Sequence, residues 1–168
     1  MARMSFFATF TVPRLKRHQM AARKGLSSTI IHNVMNFEKP APQPDEYSSD
    51  IRQALGLEND EKFILQPTRV VQRKGIEHAI ELLSRLDLKT RLVISHTVKD
   101  DEFGYGKRIK EFAELIKVNT IFSSELFDEK RGTTPDGRKV YSLWDIYPFA
   151  DLITYPSLFE GFGNAFLE

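Results

Sequence analysis

At 168 residues, with 41% hydrophobic and 28% charged side chains, the chain is long enough for one domain with its own core, or one domain and part of another. Its formal net charge of +1 gives no global electrostatic reason to expect a nucleic-acid or anionic-membrane partner. The absence of cysteine excludes a disulfide framework, a thiolate metal site and a thiol nucleophile, and no apolar run approaches the length of a membrane span.

The start of the chain has a short apolar stretch, but threonines interrupt it. It runs into Pro13 and the basic Arg14, Lys16 and Arg17 without a cleavage-site pattern, so a strand or the end of a larger domain is expected, not an export signal. That, with no cysteine, leads us to expect a reducing, cytoplasmic location. Residues 13–25 read as a helix, with Pro13 in the first turn and Gly25 as the stop. Residues 29–32 read as a short strand ended by Asn33. Pro40, Pro42 and Pro44 enforce an extended connector at residues 39–44, the expected domain boundary. Beyond it, Ser48 or Ser49 is expected to cap a short helix running through Leu55 and ended by Gly56.

From residue 63 the pattern alternates. Apolar runs at residues 63–65, 92–94, 120–122 and 152–155 read as strands. Helices are expected over residues 75–86, with Ile76, Ala79, Ile80 and Leu83 inward, and over 107–116, with Ile109, Phe112, Ala113 and Ile116 inward. A third helix is expected over residues 141–149, and the charged segment 128–139 reads as a surface loop. Continuous apolar strands alternating with amphipathic helices imply an α/β fold, a parallel sheet with helices on both faces. Ligands of such sheets bind at the carboxyl ends of the strands.

Two segments carry chemistry. After the first strand of the alternating region comes Pro67-Thr68-Arg69-Val70-Val71-Gln72-Arg73-Lys74-Gly75, where two fixed cations can neutralise a diphosphate, above all one leaving with growing charge. Taken alone, this segment reads more readily as a solvated basic loop. The chain ends on Pro156-Ser157-Leu158-Phe159-Glu160-Gly161-Phe162-Gly163-Asn164-Ala165-Phe166-Leu167-Glu168, in which Glu160 and Glu168 flank a Gly-x-Gly turn. Gly161 and Gly163 permit a tight turn and close approach to a ligand. A helix starting near Gly163 or Asn164 would aim free amides at an anion, with Glu168 about one turn on.

Other candidates are weaker. His18, His32, His78 and His96 lack metal-ligand spacing, although His96 ends a strand on the side where ligands bind. Gly104-Tyr105-Gly106 lacks the third glycine of a dinucleotide fingerprint. Asp100-Asp101-Glu102 reads equally as a solvated turn, and no serine sits in a GxSxG elbow.

Together, the two segments resemble retaining glycosyltransferases of the GT-B type, family 4. Arg69, Lys74 and Gly75 match that family's Arg-x4-Lys-Gly after the first strand of its donor domain. Ala150, Asp151, Pro156, Ser157, Glu160, Gly161, Phe162, Gly163 and Glu168 match its Glu-x7-Glu region, and residues 31–37 are similar to its interdomain stretch. Thr68 departs from the pattern, standing where the family has Gly, and His32, Val34 and Asn36 depart in the linker.

The resemblance implies a Rossmann-like, nucleotide-sugar-binding domain over residues 39–168, one truncated half of a GT-B fold. Residues 1–38 would be the remnant of the amino-terminal domain. It implies transfer of a hexose from a nucleoside diphosphate sugar to an acceptor hydroxyl, with no metal and no further cofactor. Arg69 and Lys74 would hold the diphosphate, Glu160 would lie beside the transferred sugar, Gly161, Phe162, Gly163 and Asn164 would supply turn amides, and Glu168 would bind the ribose. The expected partners are the nucleotide sugar and the acceptor, without nucleic acid; peripheral membrane association of the parent and oligomeric state stay open. A nucleotide-sugar epimerase of similar fold and a non-catalytic binding module are the alternatives, and the chain alone is expected to be inactive as a transferase.

Overall fold

The computed structural model describes residues 22, 23, 25, 38, 40, 43–96 and 104–160. They fall in two compact units, one of residues 40–159 and one of residues 1–39 with 160–168. In the second, Ala22 and Arg23 are helical and Gly25 takes the left-handed conformation of a helix stop, with φ 61°. The expected strand at residues 29–32 lies outside the described residues.

The first unit begins with a clasp. The sequence places a capped helix at Ser48 or Ser49, but helix α1 spans only Ile51–Ala54 and has no side-chain cap. Ser48 is taken by its own turn instead: its amide donates to Asp45 Oδ1 at 2.9 Å, and its hydroxyl accepts from the Asp45 amide at 3.0 Å. A short polar side chain that bonds its own backbone offers the chain an alternative to helix, so α1 starts later.

Four strands form one parallel sheet: β1 (Lys62–Gln66), β2 (Thr90–Ile94), β3 (Thr120–Phe122) and, last in the chain, Leu152–Ile153. Helices α2 (Ile76–Ser84) and α3 (Tyr105–Leu115) connect β1 to β2 and β2 to β3. Helix α2 buries Ile76, Ala79, Ile80 and Leu83, as its spacing predicts. Helix α3 starts two residues earlier than predicted. Tyr105 is buried there and its hydroxyl donates to Glu77 of α2, a tertiary contact that outweighs the weak helix propensity of Gly106.

Between β3 and the last strand lies the segment predicted as a loop and then a helix. The structure instead holds three short strands, β4 (Phe127–Asp128), β5 (Gly132–Thr133) and β6 (Lys139–Ser142), in the order β4-β6-β5. A turn over residues 134–138 joins β5 to β6, and contacts from outside brace the strands. The Tyr47 hydroxyl donates to the carbonyls of Gly132 and Val140, and Arg131 bridges Asp45 and Asp145. The predicted helix over 141–149 is correspondingly short: α4 is Leu143–Ile146, followed by a 3-10 turn, Tyr147–Phe149. Ser142 and Asp145 form a capping box that fixes the start of α4, and Pro148 suits the tighter turn.

With the last strand labelled β7, the sheet order is β3-β2-β1-β7. Residue Leu92 of β2 faces Ile64 of β1 on one side and Thr120 of β3 on the other. The sheet buries both faces. Ile64, Leu92 and Ile94 pack under α2 and α3, while Phe63, Leu65 and Val93 pack against Ile51 of α1, Tyr141 of β6 and Ile146 of α4. The fold is therefore α/β and Rossmann-like, a parallel sheet with helices on both faces.

Candidate functional site

The chain leaves β1 in one direction, toward β2 and β3, while β7 lies on the opposite side of β1. That reversal makes the carboxyl ends of β1 and β7 a topological switch point, the end at which open α/β sheets bind their ligands. The loop after β1 carries Arg69 and Lys74. It folds back through two tight turns, from the Thr68 amide to the Gln66 carbonyl at 2.8 Å and from the Val71 amide to the Arg69 carbonyl at 3.0 Å. A 3-10 turn, Gln72–Lys74, follows, and the Gln66 side-chain amide donates to the Lys74 carbonyl at 3.0 Å. The end of the strand thus holds the loop by its far side. Arg69 is exposed and Lys74 half-buried.

The loop after β7 runs alongside. The Thr154 amide donates to the Leu65 carbonyl at 2.8 Å, and the Leu158 amide to the Arg73 carbonyl at 2.9 Å. Arg73 also lies over the Phe159 ring, 5.9 Å from its centroid. The segment that opens the Glu-x7-Glu region, Pro156 and Ser157, is therefore held against the basic loop.

A third strand end joins them. His96 follows β2, half-buried, with its Nδ1 2.9 Å from the hydroxyl of the buried Ser95. Burial, then the charges of Arg69 and Lys74, push the pKa of the imidazole below its usual range. His96, Arg69 and Lys74 are thus close enough to act on one another, a grouping that strand adjacency creates and sequence spacing does not show.

Polar groups are also buried here without partners. Among the described residues, the buried side-chain atoms lacking a hydrogen bond are Gln66 Oε1, Thr68 Oγ1, Thr154 Oγ1 and Ser157 Oγ. All four lie at or just beyond the carboxyl ends of β1 and β7. In the sequence, Thr68 stands out only as a departure from glycine and Ser157 only as a motif residue, while Gln66 and Thr154 escape notice. The signal they do carry is a polar residue closing each of two apolar strands.

Asp151, one of the motif residues, serves the other end of the sheet. Its Oδ2 accepts from the Phe63 amide at 2.8 Å, its Oδ1 accepts from Lys62 at 3.0 Å, and its own amide donates to the Phe63 carbonyl at 2.8 Å. The Phe63 amide first, then Lys62 and Arg52, hold its carboxyl below the usual range against the effect of burial. Asp151 sets the register of β7 on β1.

Glu160 is exposed and belongs to the second unit. Gly161, Phe162, Gly163, Asn164 and Glu168 lie outside the described residues, as do His18, His32 and Asp100-Asp101-Glu102. His78 is exposed on α2. No helix among the described residues is long and apolar enough to cross a membrane.

No protein-family model matches the chain. It is 31% identical over 172 residues to a mannosylglucosylglycerate synthase of Petrotoga mobilis, covering 92% of this chain and 39% of the relative. The same identity holds over 173 residues of the mannosylglucosylglycerate synthase of Thermotoga maritima, of which 38% is covered. A mannosylglucosyl-3-phosphoglycerate synthase of Petrotoga mobilis is 32% identical over 144 residues, 81% of this chain and 26% of the relative. The chain therefore spans less than half the length of the curated relatives it matches. Among solved structures, a glycosyltransferase from Rickettsia africae superposes with a TM-score of 0.54 at 18% identity, over 84% of this chain and 36% of that one, which supports the fold. The chain is homologous to glycosyltransferases, and the carboxyl end of β1 and β7 is its candidate ligand site.

Proposed function

We propose that the chain is the nucleotide-sugar-binding part of a retaining glycosyltransferase of the GT-B type, family 4, working in the cytoplasm. Its reaction would move a hexose from a nucleoside diphosphate sugar to an acceptor hydroxyl. The observation that carries the reading is the basic loop at the switch point: Arg69 and Lys74, at the family's spacing, share the ligand end of the sheet with Pro156 and Ser157 of the Glu-x7-Glu region.

In this reading Arg69 grips the diphosphate with its planar fork and Lys74 supplies a compact charge. Both stabilise the diphosphate as its bond to the anomeric carbon breaks, the role a divalent cation fills elsewhere. Glu160 lies beside the transferred sugar, the turn from Gly161 through Phe162 and Gly163 to Asn164 offers amides to the phosphate or sugar, and Glu168 accepts from the ribose hydroxyls. The names of the relatives suggest a mannosyl donor and a glucosylglycerate or phosphorylated glucosylglycerate acceptor. All three relatives are synthases by name, which favours transfer over epimerisation.

Saturation-transfer NMR of the chain with UDP-, GDP- and ADP-hexoses tests the reading. Transfer to one nucleotide is expected, with Arg69→Ala weakening its binding about 10–100-fold, the worth of one charge-assisted hydrogen bond or two. No transfer to any of the three would overturn it.

A further inference from the structure

Residue Gln66 of β1 pairs with Ile94 of β2, so the residues that follow, Thr68 and Arg69 on one side and Ser95 and His96 on the other, leave the sheet side by side. His96 is the half-buried member of that pair and Ser95 the buried one. The Ser95 hydroxyl engages Nδ1, which fixes the ring and leaves Nε2 without a partner among the described residues. The ring stands at the ligand end of the sheet, beside the loop that carries Arg69 and Lys74.

We propose that His96 is a third diphosphate-contacting group of this site, reaching the ligand from the β2 side of the basic loop and donating through Nε2. The proposal rests on the reading of Arg69 and Lys74 as the diphosphate cradle. The proposal takes the tautomer in which the Ser95 hydroxyl donates to Nδ1; the neutral ring then carries its proton on Nε2, where it can be donated to a phosphate oxygen.

Arg69 and Lys74 are the described charged groups that act on this ring, and both oppose its protonation. A bound diphosphate brings several negative charges into the same space and reverses that field. The ring then favours the imidazolium form, and a proton is taken up as the ligand binds. Because His96 binds its proton more tightly in the complex than in the free chain, affinity rises as pH falls through the range between the two states.

Calorimetry of the chain with GDP and with UDP, in two buffers of different ionisation enthalpy near neutral pH, reads this directly. Wild-type chain is expected to take up a fraction of a proton with the nucleotide it binds, and the His96 ring signals are expected to move in nitrogen-correlated spectra. His96→Ala should weaken binding about 10-fold, the lower end for a charge-assisted bond, and abolish the proton uptake. His96→Gln, which keeps a donor, should recover part of the affinity without the uptake.

Binding that is unchanged in both variants while Arg69→Ala loses it would overturn this inference and leave the diphosphate cradle standing. Wild-type binding with no proton uptake and an unmoved His96 ring would overturn it in the same way. Failure of the wild-type chain to bind either nucleotide would overturn both.

Discussion

The backbone of Gly75 lies directly against the carbonyl of Pro156: a Cβ placed on Gly75 would stand 2.3 Å from that oxygen. The basic loop and the loop after β7 therefore touch through main chain, with no side chain between them. Gly75 also holds φ 60°, a left-handed conformation that costs a side-chain-bearing residue about 1–2 kcal/mol. Gly75→Ala meets both penalties. We expect it to lower stability by about 2–4 kcal/mol in denaturant unfolding, strain and clash adding together. Nucleotide affinity at a temperature where the variant is still folded should also fall. A variant as stable as the parent would show that the two loops are not in this contact.

Asp151 provides the opposite control. It ties β7 to β1 at the amino ends of the strands, roughly 13 Å along the sheet from the candidate site. Asp151→Ala should cost about 1–2 kcal/mol, less than a fully buried charged hydrogen bond because the side chain is one-third exposed. Nucleotide affinity of the folded chain should stay within about twofold, as for sites this far apart. A large loss of affinity at unchanged stability would place Asp151 in the ligand site instead.

The acid limb of stability should report on Glu61. Its side chain is 1% exposed; its Oε1 accepts from Nη2 and Nε of Arg91 at 2.7 and 3.1 Å, and its Oε2 accepts from the Glu58 amide at 2.9 Å. Burial pushes its pKa up, but the Glu58 amide and Arg91 together outweigh that and leave it below the ordinary 4.5. A depressed carboxylate contributes stability that is complete above its unfolded value and lost as pH falls through the folded one. Glu61→Gln leaves Arg91 without its charge partner and should cost about 2–3 kcal/mol at neutral pH, less than a wholly buried pair because Arg91 is partly exposed. The gap between wild type and variant should stay level down to about pH 5 and close below it. A gap independent of pH would mean that the ion pair contributes nothing specific.

The central sheet was legible because its residues follow one rule over several turns of chain. Ile76, Ala79, Ile80 and Leu83 fall at helical spacing, and the runs at Ile64 and Val93 are continuous and apolar, so period and burial agree. The arm from Phe127 to Ser142 carries two local signals: the Pro135-Asp136-Gly137 turn, which joins β5 to β6, and the capping box of Ser142 and Asp145, which marks the true start of α4. Its short strands are braced from afar, because Tyr47 and Asp45, some 85 residues earlier, supply a donor and an acceptor to it. At the candidate site, the spacing singled out Arg69 and Lys74, and the strand pattern singled out His96 as ending a strand on the ligand side; only the adjacency of β2 and β1 puts His96 beside them.

The unpartnered hydroxyls at the ends of β1 and β7 have an evolutionary consequence. Thr154 is 9% exposed and Thr68 3%, and neither side-chain oxygen has a partner among the described residues. A buried polar atom left without its hydrogen bond costs about 1–3 kcal/mol, and a shape-matched apolar replacement removes that cost. Thr154→Val should therefore raise the midpoint of unfolding, an effect open to a single denaturant titration, and an unchanged or lowered midpoint would mean the hydroxyl is satisfied in solution. Drift under selection for durability alone would erase both threonines early. A lineage that keeps them is being held there by something other than the need to fold.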